Sequence, residues 1–286
     1  MRFRSIIIVA VGAALTLAAP PSGQAADEIG QLKKAIQALQ SEVVALQSQL
    51  AAIQANRVLA LGPHVSVVTD PINGVTGPHI IFTGANIHLR DGSGLTDASS
   101  GRGNLIVGYN ELPMSGPVKL RDRQGTHNLV VGSGHRYSFF GGFVAGHENT
   151  IEGLFATVSG GFQNVARGEY STVSGGESNV AGGYYTAVSG GGHNAANAYW
   201  SWVGGGQHNV AQGPYASVSG GQANQALGGY SSINAGYDNQ AFGVYSSVCG
   251  GEKNYARGPY STVSGGRLRE SAGNWQLVGG KPSEDK

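Results

Sequence analysis

Apolar residues near the start of the chain recur in a heptad pattern. Two interleaved sets, each with members seven residues apart, form an a/d seam over four heptads: Ile29, Leu32, Ile36, Leu39, Val43, Leu46, Leu50 and Ile53. This 3.5-residue spacing predicts an α-helical coiled coil over residues 27–57. Ile, Val and Leu are mixed at both seam positions, and trimers tolerate such a mixture. The alternative is an amphipathic helix docked on its own domain.

Residues 58–142 follow a different pattern, which predicts an irregular β-rich region. Short apolar and β-branched runs alternate there with Gly, Pro, Asp and Asn, which is typical of strands and turns. Residues 104–108 and 128–132 match each other closely as Asn-Leu-Ile-Val-Gly and Asn-Leu-Val-Val-Gly. We expect them to be early coils of a repeat, with a loop inserted between them.

From residue 143 to residue 280 the chain repeats every 15 residues. The predicted core column is Val158, Val173, Val188, Val203, Val218, Ile233, Val248 and Val263, and Phe143 is expected to begin it. The Asn column is Asn164, Asn179, Asn194, Asn209, Asn224, Asn239 and Asn254. The aromatic column is Tyr170, Tyr185, Trp200, Tyr215, Tyr230, Tyr245 and Tyr260, with Phe155 and Trp275 at its ends. A glycine column runs in phase with these three from Gly146 to Gly266.

A 15-residue unit is too short for a helix pair or a propeller blade, but it suffices for two short strands and two turns. One such unit cannot bury its apolar face, so copies must stack on one another. The predicted fold is therefore mainly β, a parallel β-roll or β-solenoid of 15-residue coils preceded by the coiled coil. Strand alternation places Val173 inside and Tyr170 outside. Stacked Asn side chains are expected to hydrogen-bond along their column.

The aromatic column is predicted to lie on the outside of the roll, and the exposure of so many rings needs an explanation. Rings that project in register from a narrow rod form an apolar stripe larger than monomers usually expose. We therefore interpret the aromatic column as a possible interface between chains of a homotrimer. The alternative is a binding stripe that stacks carbohydrate.

The first residues have the pattern of a secretory signal. Arg2 and Arg4 precede an apolar stretch, residues 6–19, and small residues at 23–25 offer a cleavage site. Residues 1–25 are thus predicted to be a cleaved signal peptide, which implies export to the cell envelope surface or the medium. We expect no transmembrane segment after cleavage, and residues 281–286 form a polar tail.

Composition narrows the choice of partners. The formal net charge is +1, and it becomes −1 without Arg2 and Arg4, so nucleic acid is not an expected ligand. The chain has 48 glycines, too many for ordinary globular packing and without the period of collagen. Its single cysteine, Cys249, allows no disulfide framework and stands where neighbouring repeats carry Ser.

The repeat resembles a known family. The pattern Asn-x-Ala-x-Gly-x-Tyr-Ser-x-Val-x-Gly, as in residues 164–175, resembles the head repeats of YadA-like trimeric autotransporter adhesins. The resemblance implies a left-handed parallel β-roll, three chains side by side and attachment to host or matrix ligands. In that family the head precedes the coiled stalk, whereas here the coil comes first, and we expect no C-terminal membrane anchor.

A second resemblance is to the ice-binding β-rolls of some plants. Ice binding requires a flat, regular array of Thr or similar side chains. The outward positions beside the core column carry Thr157 and Thr172 but then Ala187 and Trp202, which interrupt such an array. A monomeric solenoid that binds ice or glycan is therefore the alternative function.

The sequence predicts no enzyme, no cofactor and no metal site. Glutamates of the repeat region do not all share one column, and Glu148 is expected to be a solvated turn residue. His193 and His208 are 15 residues apart and should stack, but no carboxylate or cysteine column joins them. Asp91 with Asp97 lacks the ligand spacing of a calcium loop and is expected to form a turn.

Overall fold

The computed structural model describes residues 23–56, 61–115 and 122–279. The chain divides into two compact units, residues 1–87 and residues 88–286. Most of the predicted signal peptide (residues 1–22) and the polar tail lie outside the described residues.

The first unit contains one helix and one hairpin. Helix α1 spans Gly23–Ala55, so the predicted helix is confirmed, while its association into a coiled coil stays a prediction. Strands β1 (Val65–Val68) and β2 (His79–Phe82) pair antiparallel, with Val65 opposite Phe82. The seam side chains of α1 from Leu32 to Ile53 are 46–61% exposed. The apolar stripe predicted from the heptads is therefore uncovered in the single chain.

The second unit is a parallel β-solenoid, which confirms the predicted fold class. Its first sheet has 12 strands: β3 Leu105–Val107, β4 Leu129–Ser133, β6 Phe143–His147, β8 Thr157–Val158, β10 Thr172–Val173, β12 Ala187–Val188, β14 Trp202–Val203, β16 Ser217–Val218, β18 Ser232–Ile233, β20 Ser247–Val248, β22 Thr262–Val263 and β24 Leu277–Val278. Its second sheet has 10 strands: β5 Arg136–Tyr137, β7 Thr150–Ile151, β9 Val165–Ala166, β11 Val180–Ala181, β13 Ala195–Ala196, β15 Val210–Ala211, β17 Gln225–Ala226, β19 Gln240–Ala241, β21 Tyr255–Ala256 and β23 Glu270–Ser271.

The core between the two sheets is thin. The eight residues of the core column are fully buried, and they pack in one cluster with the alanines that end the strands of the second sheet, such as Ala181 and Ala211. Strands of only two residues suffice because each pairs in parallel register with the coil before it and the coil after it. Equivalent side chains are therefore brought into vertical columns along the roll.

Phe143 does not begin the core column, contrary to the prediction. Strand pairing sets Phe143 beside Thr157 and Val144 beside Val158, and Val144 is the fully buried residue. The early coil is one residue shorter because it has only Gly146 where later coils have two residues, a Gly-Gly pair in all but one of them. The prediction failed because it extended the later period backwards without allowing for this shorter turn.

The Asn column is a continuous buried ladder. In each rung the backbone N–H donates to Oδ1 of the preceding Asn at 2.7–3.0 Å. Each Nδ2 donates to the carbonyl four residues earlier and to a glycine carbonyl of the next coil, as Asn209 does to Gly205 and Gly221. The main link is thus backbone to side chain rather than amide to amide. One side chain satisfies three backbone groups at a turn.

Each turn of the roll depends on left-handed backbone conformations. Two features restrict position 206 to glycine. Its φ is +82°, and an added Cβ would clash with the Gly221 carbonyl oxygen. The residue before each Asn, such as His208 at φ +56°, is also left-handed. So is every member of the aromatic column, at φ +54° to +59°. These two side-chain-bearing columns were not predicted to be left-handed.

Candidate interaction surface

The aromatic column forms one stack of rings along the outside of the roll. From Phe155 to Trp275, successive ring centroids are 4.0–6.3 Å apart and the rings are within 15° of parallel. The seven members from Tyr170 to Tyr260 are 37–50% exposed. The coil repeat produces this geometry directly, because each ring leaves the same turn one coil further on.

The stack stabilises the turn that carries it. A left-handed conformation costs a residue with a Cβ about 1–2 kcal/mol, while an aromatic pair contributes about 0.5–1.5 kcal/mol beyond its buried area. Each pair is shared by two residues, so stacking contributes about one pair per member and offsets a large part of the backbone cost. It also covers both faces of each inner ring, so the column presents ring edges and hydroxyl groups outwards. A sugar that stacks on a free ring face finds none inside this column.

Two further tyrosines widen the stack near its middle. Tyr184 packs edge-on against Tyr185 with centroids 4.4 Å apart, and Tyr199 packs edge-on against Tyr215 at 5.3 Å. The pKa of the Tyr184 hydroxyl is raised, first by its hydrogen bond with Tyr185 and then by burial and the nearby Glu169. The phenol of Tyr184 therefore stays neutral over the physiological pH range. The widened segment is a mixed apolar and hydroxylated surface.

A second exposed surface lies on the outer face of the 12-stranded sheet. Between residues 157 and 264 its two outward columns are Thr157, Thr172, Ala187, Trp202, Ser217, Ser232, Ser247 and Thr262, and Ser159, Ser174, Ser189, Gly204, Ser219, Asn234, Cys249 and Ser264. We call this surface the hydroxyl face. None of these residues carries a charge. The thiol of Cys249 is exposed in this face and unpaired.

The candidate metal and turn residues have ordinary structural partners. His193 and His208 stack as expected, with ring centroids 4.9 Å apart. The Asp91 carboxylate accepts hydrogen bonds from the Ser93 N–H, the Ser93 hydroxyl and the Ser100 hydroxyl. These donors, Ser93 first, lower the pKa of Asp91. Among the described residues no three metal-ligating side chains gather in one place.

Glu148 is not the solvated turn residue that the sequence suggested. Its side chain is buried, and its carboxylate accepts the backbone N–H groups of Met114 at 2.6 Å and Ser115 at 3.1 Å. It also accepts Gln163 Nε2 at 3.0 Å. The bond from Gln163, followed by that from Ser115, lowers the pKa of Glu148 to about 2. Glu148 thus fastens the loop inserted after β3 onto the first regular coils.

Comparisons with known proteins do not assign the chain to a family. No family model matches it, and no curated protein matches it significantly. Within the described residues no helix has the length and apolar character needed to span a membrane. The features of the chain that bear on its function are the two surfaces and the helix seam.

Proposed function

We propose that the protein is an exported homotrimeric fibre, a β-roll on a coiled-coil stem, which serves in attachment or as a structural element of the cell envelope. The observation that carries the proposal is the heptad seam of α1, whose apolar side chains are half exposed in the single chain. The proposal also follows the resemblance of the repeat to YadA-like heads.

The seam favours self-association on energetic grounds. Full burial of one Val, Leu or Ile side chain contributes about 1.5–3 kcal/mol. Seven exposed seam residues spaced along one helix face therefore supply a large favourable term when helices of several chains meet. Their strict heptad spacing matches the knobs-into-holes packing of a coiled coil.

The aromatic column is the proposed second contact between chains. Tyr and Trp are enriched at protein interfaces because they combine a large apolar area with a polar tip. The column presents ring edges and hydroxyls over its whole length, and it is in phase with every coil. Chains held parallel by the stem would bring their columns to matching heights.

The test of the proposal is the solution mass of residues 27–286 by light scattering. We expect a mass of three chains. A mass of one chain would contradict the proposal and favour the alternative, a monomeric solenoid that binds ice or glycan.

Variants assign the association to its two surfaces. The double variant Leu39→Asp/Leu46→Asp should reduce the mass, because charged side chains at seam positions prevent helix packing. Ser48→Asp, also on α1 but outside the seam, is the matched control and should leave the mass unchanged.

The aromatic column needs a separate pair of variants. Tyr215→Asp should weaken association, because a carboxylate would be buried without a partner, and Asp tolerates the left-handed backbone. Tyr215→Phe keeps the stacked ring and is expected to keep the trimer. An unchanged mass for Tyr215→Asp would remove the column from the interface.

A further inference from the structure

Trp202 differs from every other aromatic residue between residues 157 and 264. It stands on the hydroxyl face, between Ala187 on the preceding coil and Ser217 on the following coil. Its side chain is 39% exposed. Among the described residues no ring stacking and no cation–π contact involves it, whereas the members of the aromatic column cover one another.

The indole is held across the sheet surface rather than projecting from it. Its Nε1–H donates to the Ser189 hydroxyl of the preceding coil at 3.3 Å. The six-membered ring of the indole fills the space that a side chain at Gly204 would need. An added Cβ at Gly204 would lie 2.9 Å from Cη2 of Trp202. The six-membered ring therefore lies against the roll at Gly204, and the exposed part of the indole forms an open face towards solvent.

The surroundings of this open face are hydroxylated and uncharged. Ser217 and Ser189 lie on the coils to either side of Trp202, and the small side chain of Ala187 leaves room above the preceding coil. Successive coils are about 4.8 Å apart, which is close to the length of one hexose unit. A planar apolar face with hydroxyls at its rim matches a pyranose ring, which has an apolar C–H face and hydroxyls at its edge.

We propose that Trp202 and the adjacent hydroxyls of Ser189 and Ser217 bind a pyranose unit of a neutral glycan. The absence of charge on the hydroxyl face between residues 157 and 264 selects against phosphorylated and acidic ligands. The inference gives the proposed attachment role a class of ligand, but the binding itself requires no particular number of chains. It also separates sugar binding from the aromatic column, whose inner ring faces are occupied.

The test uses residues 27–286 with Trp200→Phe and Trp275→Phe, which keep stacked rings and leave Trp202 as the sole tryptophan. Its fluorescence is titrated with neutral β-linked hexasaccharides of glucose, galactose and N-acetylglucosamine. We expect a saturable shift with at least one of them. The same sugar should bind the otherwise unchanged chain in calorimetry, and Trp202→Thr should weaken that binding at least tenfold. Thr fits this column at positions 157, 172 and 262, so the variant should fold.

Two further variants refine the geometry. Ser189→Ala should weaken binding several-fold, because it removes the acceptor that orients the indole. Tyr230→Phe, in the aromatic column, is the matched control and should bind the sugar as the unchanged chain does.

Three results would overturn the inference. They are no response to any of the three sugars, equal affinity in Trp202→Thr, or a smaller light-scattering mass for Trp202→Thr, which would make Trp202 a contact between chains. The fibre proposal fails separately, on a single-chain mass for the unchanged protein. The two failures are therefore distinguishable.

Discussion

The early coils and the regular roll differ in how they bury apolar side chains and pair backbone groups. In the regular roll every core valine is fully buried and every Asn rung repeats the same hydrogen bonds. In β3, Leu105, Ile106 and Val107 are 38–53% exposed, although they pair in parallel with β4. A regular coil has a matching coil on each side, so its apolar side chains are covered and its backbone groups are hydrogen-bonded. The first coil lacks this arrangement, and part of its apolar surface stays exposed.

In the early coils, contacts of charged side chains take the place of the repeated hydrogen bonds of the regular roll. Arg123 donates to the carbonyl oxygens of His135 and Asn110 at 3.0 and 2.7 Å, and also to that of Glu111. Arg136 forms an ion pair with Asp122 at 3.2 Å. Together with Glu148 these residues hold the inserted loop by individual contacts. The irregular region is therefore specified residue by residue, and the regular region by its period.

The largest effect should come from breaking the ladder of the regular roll. Asn209→Ala leaves the Asn224 N–H without its acceptor and removes two donors from the carbonyls of Gly205 and Gly221. We expect the free energy of unfolding to fall by about 3 kcal/mol, because buried unsatisfied groups cost about 1–3 kcal/mol each. Urea denaturation measures it. Gln207→Ala, exposed in the same turn, is the control, and a loss below about 1 kcal/mol would refute the ladder's role.

A smaller effect should separate the two regions by their cores. Val203→Ala removes buried methyl groups and should cost about 2 kcal/mol. Ile106→Ala, at a 38% exposed position, should cost less than about 0.5 kcal/mol in the dissociated Leu39→Asp/Leu46→Asp chain. Denaturation of both variants in that background makes the comparison. A greater cost of Ile106→Ala in the trimer would place β3 against a neighbouring chain, and equal costs for both variants in the dissociated chain would contradict the contrast.

We expect acid to weaken the attachment of the inserted loop to the early coils, because this attachment depends on the ionised carboxylate of Glu148. Its pKa is lowered from 4.5 to about 2, so its carboxylate stabilises the loop above pH 4.5 and loses that effect as the pH falls through about 2. The amide NMR signals of Met114 and Ser115 should shift with a midpoint near the lowered pKa. Glu148→Ala should displace them at every pH, unlike Glu177→Ala at an exposed position. A midpoint at 4.5 would show that the fastening does not form.

The smallest effect concerns the first rung of the ladder. Buried His135 occupies the place of an Asn, and its Nδ1 accepts the Asn149 N–H at 3.2 Å while Nε2 lies 3.0 Å from the Val131 carbonyl oxygen. This arrangement places the proton on Nε2. Burial lowers the pKa of His135 below 6.5, and the nearby His147 lowers it further.

The stabilisation from neutral His135 is therefore complete above pH 6.5 and decreases as the pH falls from 6.5 towards the lowered pKa. Thermal unfolding at about pH 7.5 and about pH 5.5, on either side of the ordinary histidine pKa, should show the loss. His135→Asn, which restores the usual rung, should be less sensitive to pH over this range. The same pH dependence in both proteins would exclude His135 as its source.

Column spacing in the sequence predicts which residues stack, but it does not predict their backbone conformations or the contacts of the irregular coils. Column spacing was enough to place Val173 inside, the Asn residues in a ladder and the tyrosines in a row. It could not show that Tyr185 is left-handed, since only glycine signals that conformation reliably in a sequence. His135 was hidden because histidine does not resemble the Asn it replaces. Glu148 was misjudged because two of its three hydrogen-bond donors are backbone groups of a distant loop, which no local pattern reveals.

The ladder links each coil only to the coils directly before and after it, and every regular coil presents the same two ends. A gene duplication that inserts one complete 15-residue unit would therefore find its hydrogen bonds already provided. Each such event would lengthen the roll by about 4.8 Å without disturbing the remaining coils. The reach of this protein is thus a heritable quantity that recombination can adjust in steps, while the surface it displays stays the same.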